Sequence, residues 1–401
     1  MAPLMLEGVR IVDVATGRVT EPSDLELVGD RIAGIAPSAR PADPPRWVVP
    51  GLIDVHVHLA FDATADPMRP VRELEAPALV DLALANAALA VRAGITTVRD
   101  LGAPLDVVRD AAALIAGGDE PGPDVVFAGA SITRVGGHLG VLGGEVATPE
   151  EARTLVERQL AAGARAVKVV VSGGGLTPGT RTELAELPVP ILRAAVEVAS
   201  AHGVAVAAHC HATEAIARAV DAGVTTIEHG SFVGLDGHVR FDAGLAHRLA
   251  DAGIAVDPTL SGSVRTAARY RKAGAHNPTE HDAIARLESR PRIVAALRDA
   301  GVTIVAGSDA GVTETPLDSL HDDLAALVDV GMTPLEALRA ATVDAARIIG
   351  LTDRGRVAIG GRADMLVVDR DPREDLSVLR SPHAVIAAGR VISRPGDPAA
   401  R

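Results

Sequence analysis

The sequence predicts an α/β protein: a (β/α)8 barrel of the TIM type joined to a small β-sandwich domain. Short apolar runs alternate with longer segments rich in Ala and Leu between residues 50 and 355. A glycine followed by a β-branched residue recurs where a helix would end and the next strand begin. Short strand-like pieces separated by turns occupy both ends of the chain. The first two patterns predict the barrel, and the third predicts the smaller domain.

Eight apolar runs are the candidate barrel strands: 53–58, 95–100, 124–128, 166–171, 204–209, 225–229, 254–257 and 302–306. Segments with helical spacing lie between them: 77–92, 149–162, 189–202, 213–221, 245–252 and 282–300. Strands that alternate with helices imply a parallel sheet, and a chain of this length suits a closed barrel. A doubly wound open sheet is the alternative, although no good Gly-x-Gly-x-x-Gly turn follows an early strand.

The two ends of the chain are predicted to form one domain. Residues 1–49 and 356–401 each contain strand-like pieces, but neither end could bury much apolar surface alone. We therefore expect the two ends to meet in a small β-domain beside the barrel, which takes residues 50–355.

Composition excludes several classes of protein. The chain has 401 residues, is 48% hydrophobic with few aromatics, and carries a formal charge of −13 without a basic patch. This charge argues against nucleic acid and against an anionic membrane surface as partners. No apolar run is long enough for a membrane span, and the start lacks a signal-peptide pattern. The single cysteine, Cys210, fits a reducing compartment. Together these features predict a cytoplasmic protein, and they are compatible with a homo-oligomer.

Histidines mark the first predicted strand. His56 and His58 lie one residue apart in an apolar run. Side chains two positions apart on a strand share a face, so both imidazoles project the same way. Two neutral imidazoles on one face suit zinc and similar metals, although this pair alone is equally compatible with two ordinary buried histidines.

Further ionisable residues fall at or near the ends of other predicted strands, where barrel active sites form. Lys168 lies within the fourth strand, His209 and His229 end the fifth and sixth, and Asp309 follows the eighth. Together with the histidine pair, this set predicts a metal site.

The position of Lys168 within an apolar strand has two interpretations. A buried lysine either loses its charge or finds a partner. An ion pair with a neighbouring carboxylate is the simpler reading from the residue alone. The other reading is carboxylation by CO₂, which converts the amine into an oxygen ligand that bridges two metals.

The ordered set of ionisable residues resembles the amidohydrolase superfamily. The branch that it resembles most is the binuclear one, prolidase-like and carboxypeptidase-like, which is related to imidazolonepropionase. Residues 168–174 (KVVVSGG), 226–230 (TIEHG) and 307–311 (GSDAG) are similar to that branch, and the similarity spans nearly the whole chain. Imidazolonepropionase-like enzymes are mononuclear and lack the bridging lysine, so Lys168 argues against that activity.

The resemblance implies a pair of divalent metal ions with a carboxylated Lys168 between them. His56, His58 and Asp309 would hold one ion, and His209 and His229 the other. Zinc suits these ligands, while manganese, iron and cobalt are alternatives.

The resemblance also implies a reaction, hydrolysis of an amide C–N bond in a small molecule. A metal-bridging hydroxide would attack the carbonyl, and Asp309 would pass the proton to the leaving nitrogen. Xaa-Pro dipeptides and N-acyl amino acids are the expected substrates. Hydrolysis of a cyclic amide or lactone on the same site is an alternative, and a non-catalytic assembly protein that keeps the barrel is a second.

Four further residues are candidates for substrate contact. His138, in a glycine-rich loop, would contact the substrate or polarise its carbonyl, or else pack in the loop. Arg134 suits a substrate carboxylate, although exposed arginines are common. Ser172 and His211 would border the pocket, or else His211 is a solvated loop residue. Residues 313–317 depart from the Pro-His-Gly of relatives, which puts the usual substrate preference in question.

Overall fold

The computed structural model describes residues 3–274 and 278–393. The strands in these ranges are β1 (Leu4–Asp13), β2 (Arg18–Val19), β3 (Ser23–Val28), β4 (Arg31–Pro37), β5 (Trp47–Pro50), β6 (Leu52–Val57), β7 (Ile95–Asp100), β8 (Asp124–Phe127), β9 (Thr133–Arg134), β10 (Glu145–Val146), β11 (Ala166–Val170), β12 (Ala205–Ala212), β13 (Thr226–Val233), β14 (Ala255–Asp257), β15 (Met365–Val368), β16 (Ala384–Ala387) and β17 (Arg390–Ser393).

The α-helices are α1 (Arg69–Glu73), α2 (Ala76–Arg92), α3 (Leu105–Gly117), α4 (Pro149–Ala161), α5 (Val189–Ala201), α6 (Thr213–Ala222), α7 (Ala243–Asp251), α8 (Leu260–Ala273), α9 (Pro278–Asp299), α10 (Leu320–Asp329), α11 (Pro334–Ala340) and α12 (Val343–Ile348). Short 3-10 turns occupy Gly140–Leu142 and Leu376–Arg380. Within the described ranges, no helix has both the length and the apolar character that a membrane crossing requires.

The middle of the chain forms parallel sheets, as the alternating pattern predicted. Strands β6, β7 and β8 make a three-stranded parallel sheet, and β11 to β14 make a four-stranded one. Isolated parallel bridges extend both sheets, from Val169 of β11 to Ile132 after β8 and from Val57 of β6 to Ala310. The mixed α/β class with parallel strands is therefore confirmed.

The predicted eighth strand, at 302–306, is not a regular strand. Its backbone contacts β14 through a bridge between Ile304 and Val256, and Val305 N donates to Val256 O at 3.0 Å. The next amide, of Ala306, donates instead to Ala340 O at the end of α11. This change of partner interrupts the strand pairing immediately before the turn that carries Asp309.

The two ends of the chain share one sheet. Its strand order is β17-β16-β15-β5-β1-β3-β4, with β2 paired to β1. Strand β5 is parallel to β1 from the N-terminal segment and antiparallel to β15 from the C-terminal segment. The exact division of the chain into a domain of residues 1–49 plus 356–401 and a barrel of residues 50–355 stays a prediction.

Side chains of this sheet alternate between separate cores. Val48 and Met365 pack in a small core within the terminal strands, whereas their neighbours Val49 and Leu366 join the main core. Because successive strand residues face opposite sides, one sheet can bury both of its faces. The second face therefore attaches the terminal strands to the parallel sheets.

Arg99 links the interior of the two parallel sheets. It lies on β7, is fully buried, and donates from Nε to Val55 O at 2.6 Å. Its Nη2 lies 3.0 Å from Oε1 of Glu228 on β13. The ion pair therefore connects the first sheet to the second through the interior.

Replacing Arg99 by Met should lower the free energy of unfolding substantially. The change leaves the Glu228 carboxylate buried without its partner, a loss that typically costs about 3–5 kcal/mol. Chemical denaturation with urea measures it. Arg109→Met, which removes only exposed contacts to Asp106 and Asp110, should leave the transition midpoint unchanged. Equal midpoints for the two variants would contradict the role of the buried pair.

Candidate metal centre

The first strand of the parallel sheets supplies two imidazoles on one face. In His58, Nδ1 lies 2.9 Å from Gly102 O. A carbonyl only accepts, so Nδ1 donates its proton to Gly102 O and Nε2 is the nitrogen that faces Asp309. In His56, Nδ1 lies 3.1 Å from Oδ2 of Asp257 and 3.3 Å from Oε2 of Glu228. Both Nε2 atoms therefore face away from these partners.

Asp309 contacts the rings of both His56 and His58. Its Oδ1 lies 3.3 Å from Nε2 of His56 and 3.3 Å from Nε2 of His58. Two imidazole nitrogens and a carboxylate oxygen thus converge on one position. Neutral imidazole and carboxylate are donors that a divalent cation binds.

The backbone around Asp309 is a tight turn, with a positive φ of 55° at Asp309 itself. A Cβ at Gly307 would overlap the Asp257 carboxylate and the Cβ of His56. Ser308 donates its backbone N–H and its hydroxyl to the buried Asp54 carboxylate. This Gly-Ser-Asp sequence thus lets the chain pass close to β6 and directs Asp309 back to the histidine pair.

A second pair of imidazoles lies on β12 and β13. Nδ1 of His209 and Nε2 of His229 are 3.0 Å apart. The other nitrogen of His209 lies 3.2 Å from Gly173 O, and that of His229 lies 2.8 Å from Thr259 Oγ1. The Thr259 hydroxyl donates to Pro258 O, so it accepts from His229. The two facing nitrogens are therefore both unprotonated, and a cation between them would remove their repulsion.

Lys168 lies beside the first group. Its side chain is 1% exposed, and Nζ lies 3.4 Å from His56 Nε2. In the part of the chain that the structure describes, no carboxylate oxygen comes within the 4.0 Å of an ion pair with this amine. Burial lowers the pKa of Lys168, against the opposing effect of Glu228 and Asp309. A neutral amine is the form that reacts with CO₂.

Burial also keeps the imidazoles neutral. It lowers the pKa of His56 to about 4, and it lowers the pKa values of His209 and His229 well below the ordinary histidine value. Burial opposes ionisation of Asp309, but His56 and His58 hold the pKa of this carboxyl below its usual range. Neutral imidazole and ionised carboxylate are the forms that bind divalent metals, so the donor set fits them.

Some functional residues were missed by the sequence analysis. Asp257 ends β14 and contacts His56, and Glu228 precedes His229 on β13 and also contacts His56. Burial and the neighbouring Glu228 raise the pKa of Asp257. The signal for Asp257 was available, because an acidic residue ends the predicted strand at 254–257. Glu228 gave no such signal, since only the tertiary fold brings it next to His56.

His211 lies with the second pair rather than in a solvated loop. Its ring stacks on that of His229 at 4.6 Å with an interplanar angle of 12°, and its Nδ1 lies 2.8 Å from Ser231 Oγ. The hydroxyl of Ser172 accepts the backbone N–H of His211 at 2.8 Å. Ser172 therefore holds the β12 backbone and is fully buried.

A cavity of about 310 Å³ is lined by His138, Tyr270 and Arg269 and by the candidate metal groups His56, His58, Lys168, His209, His211, His229 and Asp309. Ser172, which was predicted to border the pocket, does not line it. A larger cavity of about 630 Å³ lies elsewhere and contains none of the predicted site residues. His138 is buried, with Nδ1 3.2 Å from Thr177 Oγ1. Arg134 does not line the 310 Å³ cavity, and its guanidinium lies 2.8 Å from Glu186.

The burial of His138 predicts a pH dependence of stability. Burial lowers its pKa to about 3, so the folded protein binds fewer protons than the unfolded chain below the ordinary histidine pKa of about 6.5. The stability that the neutral His138 contributes to the folded protein is therefore lost as the pH falls from about 6.5 to about 3. Across this window, the free energy of unfolding of the wild type should fall more steeply than that of His138→Gln, by about 1.4 kcal/mol per pH unit.

Urea denaturation of the metal-free protein at a series of pH values measures these slopes. His202→Gln is the control, because His202 is exposed and its replacement should leave the slope of the wild type. Parallel curves for the wild type and His138→Gln would contradict the prediction.

The chain resembles known proteins along most of its length. It is 33% identical over 356 residues to an uncharacterized protein of Mycobacterium tuberculosis, and the aligned region covers 86% of this chain and 85% of the relative. It is 28% identical over 386 residues to the ochratoxinase of Aspergillus niger, with 87% and 76% of the two chains covered. A solved Xaa-Pro dipeptidase with methionine bound in its active site superimposes with a TM-score of 0.86 and 25% identity, covering 97% and 99% of the two chains.

The model of the Amidohydrolase family matches residues 47–392. This range contains all the histidines of the two groups, Lys168 and Asp309, and it extends into the strands of the terminal sheet. The resemblance found in the sequence is therefore confirmed: the chain belongs to the amidohydrolase family.

Proposed function

We propose that this protein is a metal-dependent hydrolase that cleaves the amide C–N bond of an Xaa-Pro dipeptide or an N-acyl amino acid. The observation that carries the proposal is the pair of ring nitrogens of His209 and His229 that face each other 3.0 Å apart, while the other nitrogen of each ring is hydrogen-bonded outward. The second group, in which Asp309 lies 3.3 Å from both His56 and His58, opens onto the same cavity. Family membership and the likeness to a Xaa-Pro dipeptidase support this reaction class.

Two divalent cations, of which zinc suits the donors best, are part of the proposal. His56, His58 and Asp309 would hold one, His209 and His229 the other, and a carboxylated Lys168 would supply an oxygen to both. When bound, such cations polarise a carbonyl and lower the pKa of water from 15.7 to about 7.

The protein's own groups would then move the proton. Asp309 is ionised at neutral pH, so it can accept a proton from the attacking water and return it to the leaving nitrogen. His138 lines the same cavity and is neutral, so it can donate an N–H to the substrate carbonyl. The His138 and Asp309 side chains are only 4% and 20% exposed, and this burial strengthens each interaction.

We also propose that the two parallel sheets and the segment 302–306 are one closed (β/α)8 barrel. The hydrogen bonds that connect them support closure: Val170 N donates to Ile132 O, Val256 N to Thr303 O, and His58 N to Ala310 O. In such a barrel the carboxyl ends of the strands form the active site, which agrees with the origin of the site residues.

Hydrolysis of a defined panel tests the proposed reaction. The metal-loaded protein should hydrolyse Xaa-Pro dipeptides or N-acyl amino acids, and chromatography measures the amine that is released. Lactams and lactones in the same panel test the alternative substrates. Absence of turnover for every amide would reject the proposed function.

Asp309→Asn should lower kcat/KM on the best substrate about 10²- to 10⁴-fold, because the variant cannot accept the proton. Asp251→Asn is the control, since Asp251 is an exposed residue at the end of α7. If Asp309→Asn keeps the kcat of the wild type, Asp309 does not transfer the proton.

Lys168→Met should change the metal content. Elemental analysis of the wild type should find close to two ions per chain, and the variant should hold well below one because the shared oxygen ligand is gone. Lys272→Met removes an exposed lysine of α8 and should keep the metal content of the wild type. If both variants retain two ions, Lys168 is not a bridging ligand.

A further inference from the structure

We infer that Arg269 on α8 binds the free carboxylate of the substrate and so determines specificity. The inference rests on the proposed amide hydrolysis, to which it adds the residue that selects acidic substrates. The sequence analysis had assigned this task to Arg134, whose guanidinium lies 2.8 Å from Glu186, and Arg134 does not line the cavity.

The distribution of charge in the cavity points to Arg269. Lys168 and Asp309 lie with the histidines of the candidate metal centre, and residues of α8 line the same cavity. Among the lining residues that the structure describes, Arg269 is the charged one outside that centre. An anionic group on a substrate bound at the candidate metal centre can therefore pair with the Arg269 guanidinium, which lines the same cavity.

Arg269 already binds a carboxylate of the protein itself. Its Nη1 lies 3.3 Å from Oε1 of Glu314, and the two side chains are 39% and 48% exposed. Exposed ion pairs of this kind are weak, so a substrate carboxylate can replace Glu314 at low cost. Glu314 follows the cavity-lining Thr313, which places this internal anion beside the cavity.

Tyr270 holds the guanidinium from another side. The Cζ atom of Arg269 lies 5.0 Å from the centroid of the Tyr270 ring, within the range of a cation–π contact. Both side chains line the cavity. A planar guanidinium restrained in this way presents its remaining N–H groups to a carboxylate as a bidentate donor.

Other arginines near the cavity are less suited to this task. Arg265, one turn earlier on α8, lies 2.7 Å from Asp322 and also donates to Thr315. Arg271 points to Glu288 at 2.6 Å. Neither lines the cavity. A volume of about 310 Å³ lies at the small end of ligand pockets, so it fits a dipeptide or an N-acyl amino acid held at both ends.

Paired ligands test the inference. Isothermal titration calorimetry measures binding of a panel of N-acetyl-L-amino acids and Xaa-Pro dipeptides, each beside the analogue in which a carboxamide replaces the carboxylate. Arg269→Met should weaken binding of the acids roughly 10- to 100-fold and leave the carboxamides unchanged, since a hydrogen-bonded charge pair is lost. Arg271→Met, on the same helix, is the matched control and should bind both sets as the wild type does.

Glu314→Gln provides an independent readout. It removes the competing carboxylate, so the acids should bind more tightly and, where they are hydrolysed, their KM should fall while kcat stays constant. Equal losses for acids and carboxamides in Arg269→Met, or wild-type protein that prefers no acid over its carboxamide, would overturn the inference. Acid-selective binding that depends on Arg269 but leads to no hydrolysis would support the inference and reject the proposed function instead.

Discussion

Buried imidazoles turn unprotonated nitrogens toward one cavity, and hydrogen bonds on the far side of the rings fix that orientation. Gly102 O and Gly173 O accept the proton of His58 and of His209, so in each ring the lone pair is left on the inner nitrogen. Lone pairs held this close repel one another unless a cation lies among them. The family membership, the proposed reaction and the lowered pKa of Lys168 are all consistent with this constraint.

A buried network supports the ring orientations from outside the cavity. His56 contacts Glu228 and Asp257, and Glu228 is paired with the fully buried Arg99. Burial alone would favour a neutral Glu228, but Arg99 holds the pKa of this carboxyl below its usual range. The ionised carboxylate keeps Nδ1 of His56 as the donor. Charges that look structural in isolation therefore determine which nitrogen faces the cavity.

The cavity-lining residues of α8 differ in character from the candidate metal centre. Arg269 and its partner Glu314 are 39% and 48% exposed, whereas the histidines and Lys168 of the candidate metal centre are buried and its Asp309 is 20% exposed. Buried ligands hold one geometry, and exposed pairs exchange partners readily. This division matches the division of labour in the proposal, in which the strand ends perform the chemistry and α8 selects the substrate. Glu314 of this pair lies between Thr313 and Thr315, which both line the cavity.

The sequence by itself determined the strands that carry the site and the residue types at their ends. The 3.6- and 2-residue periodicities are local, so the predicted strands at 95–100 and 166–171 agree with β7 and β11 within one residue. The candidate ligands were predicted because histidine and aspartate at strand ends are visible without coordinates, and the structure brings them to one cavity. The irregular segment at 302–306 was not predicted, because Ala306 donates to Ala340, a partner distant in sequence.

Only the tertiary structure decided the protonated nitrogen of each ring, the contact of Glu228 with His56, and the choice between Arg134 and Arg269. These properties depend on which distant atoms lie within about 3 Å of a side chain. Arg134 and Arg269 are the same residue type in comparable polar surroundings, so no local pattern separates them. Their difference arises because one guanidinium is paired with Glu186 outside the cavity and the other lines it.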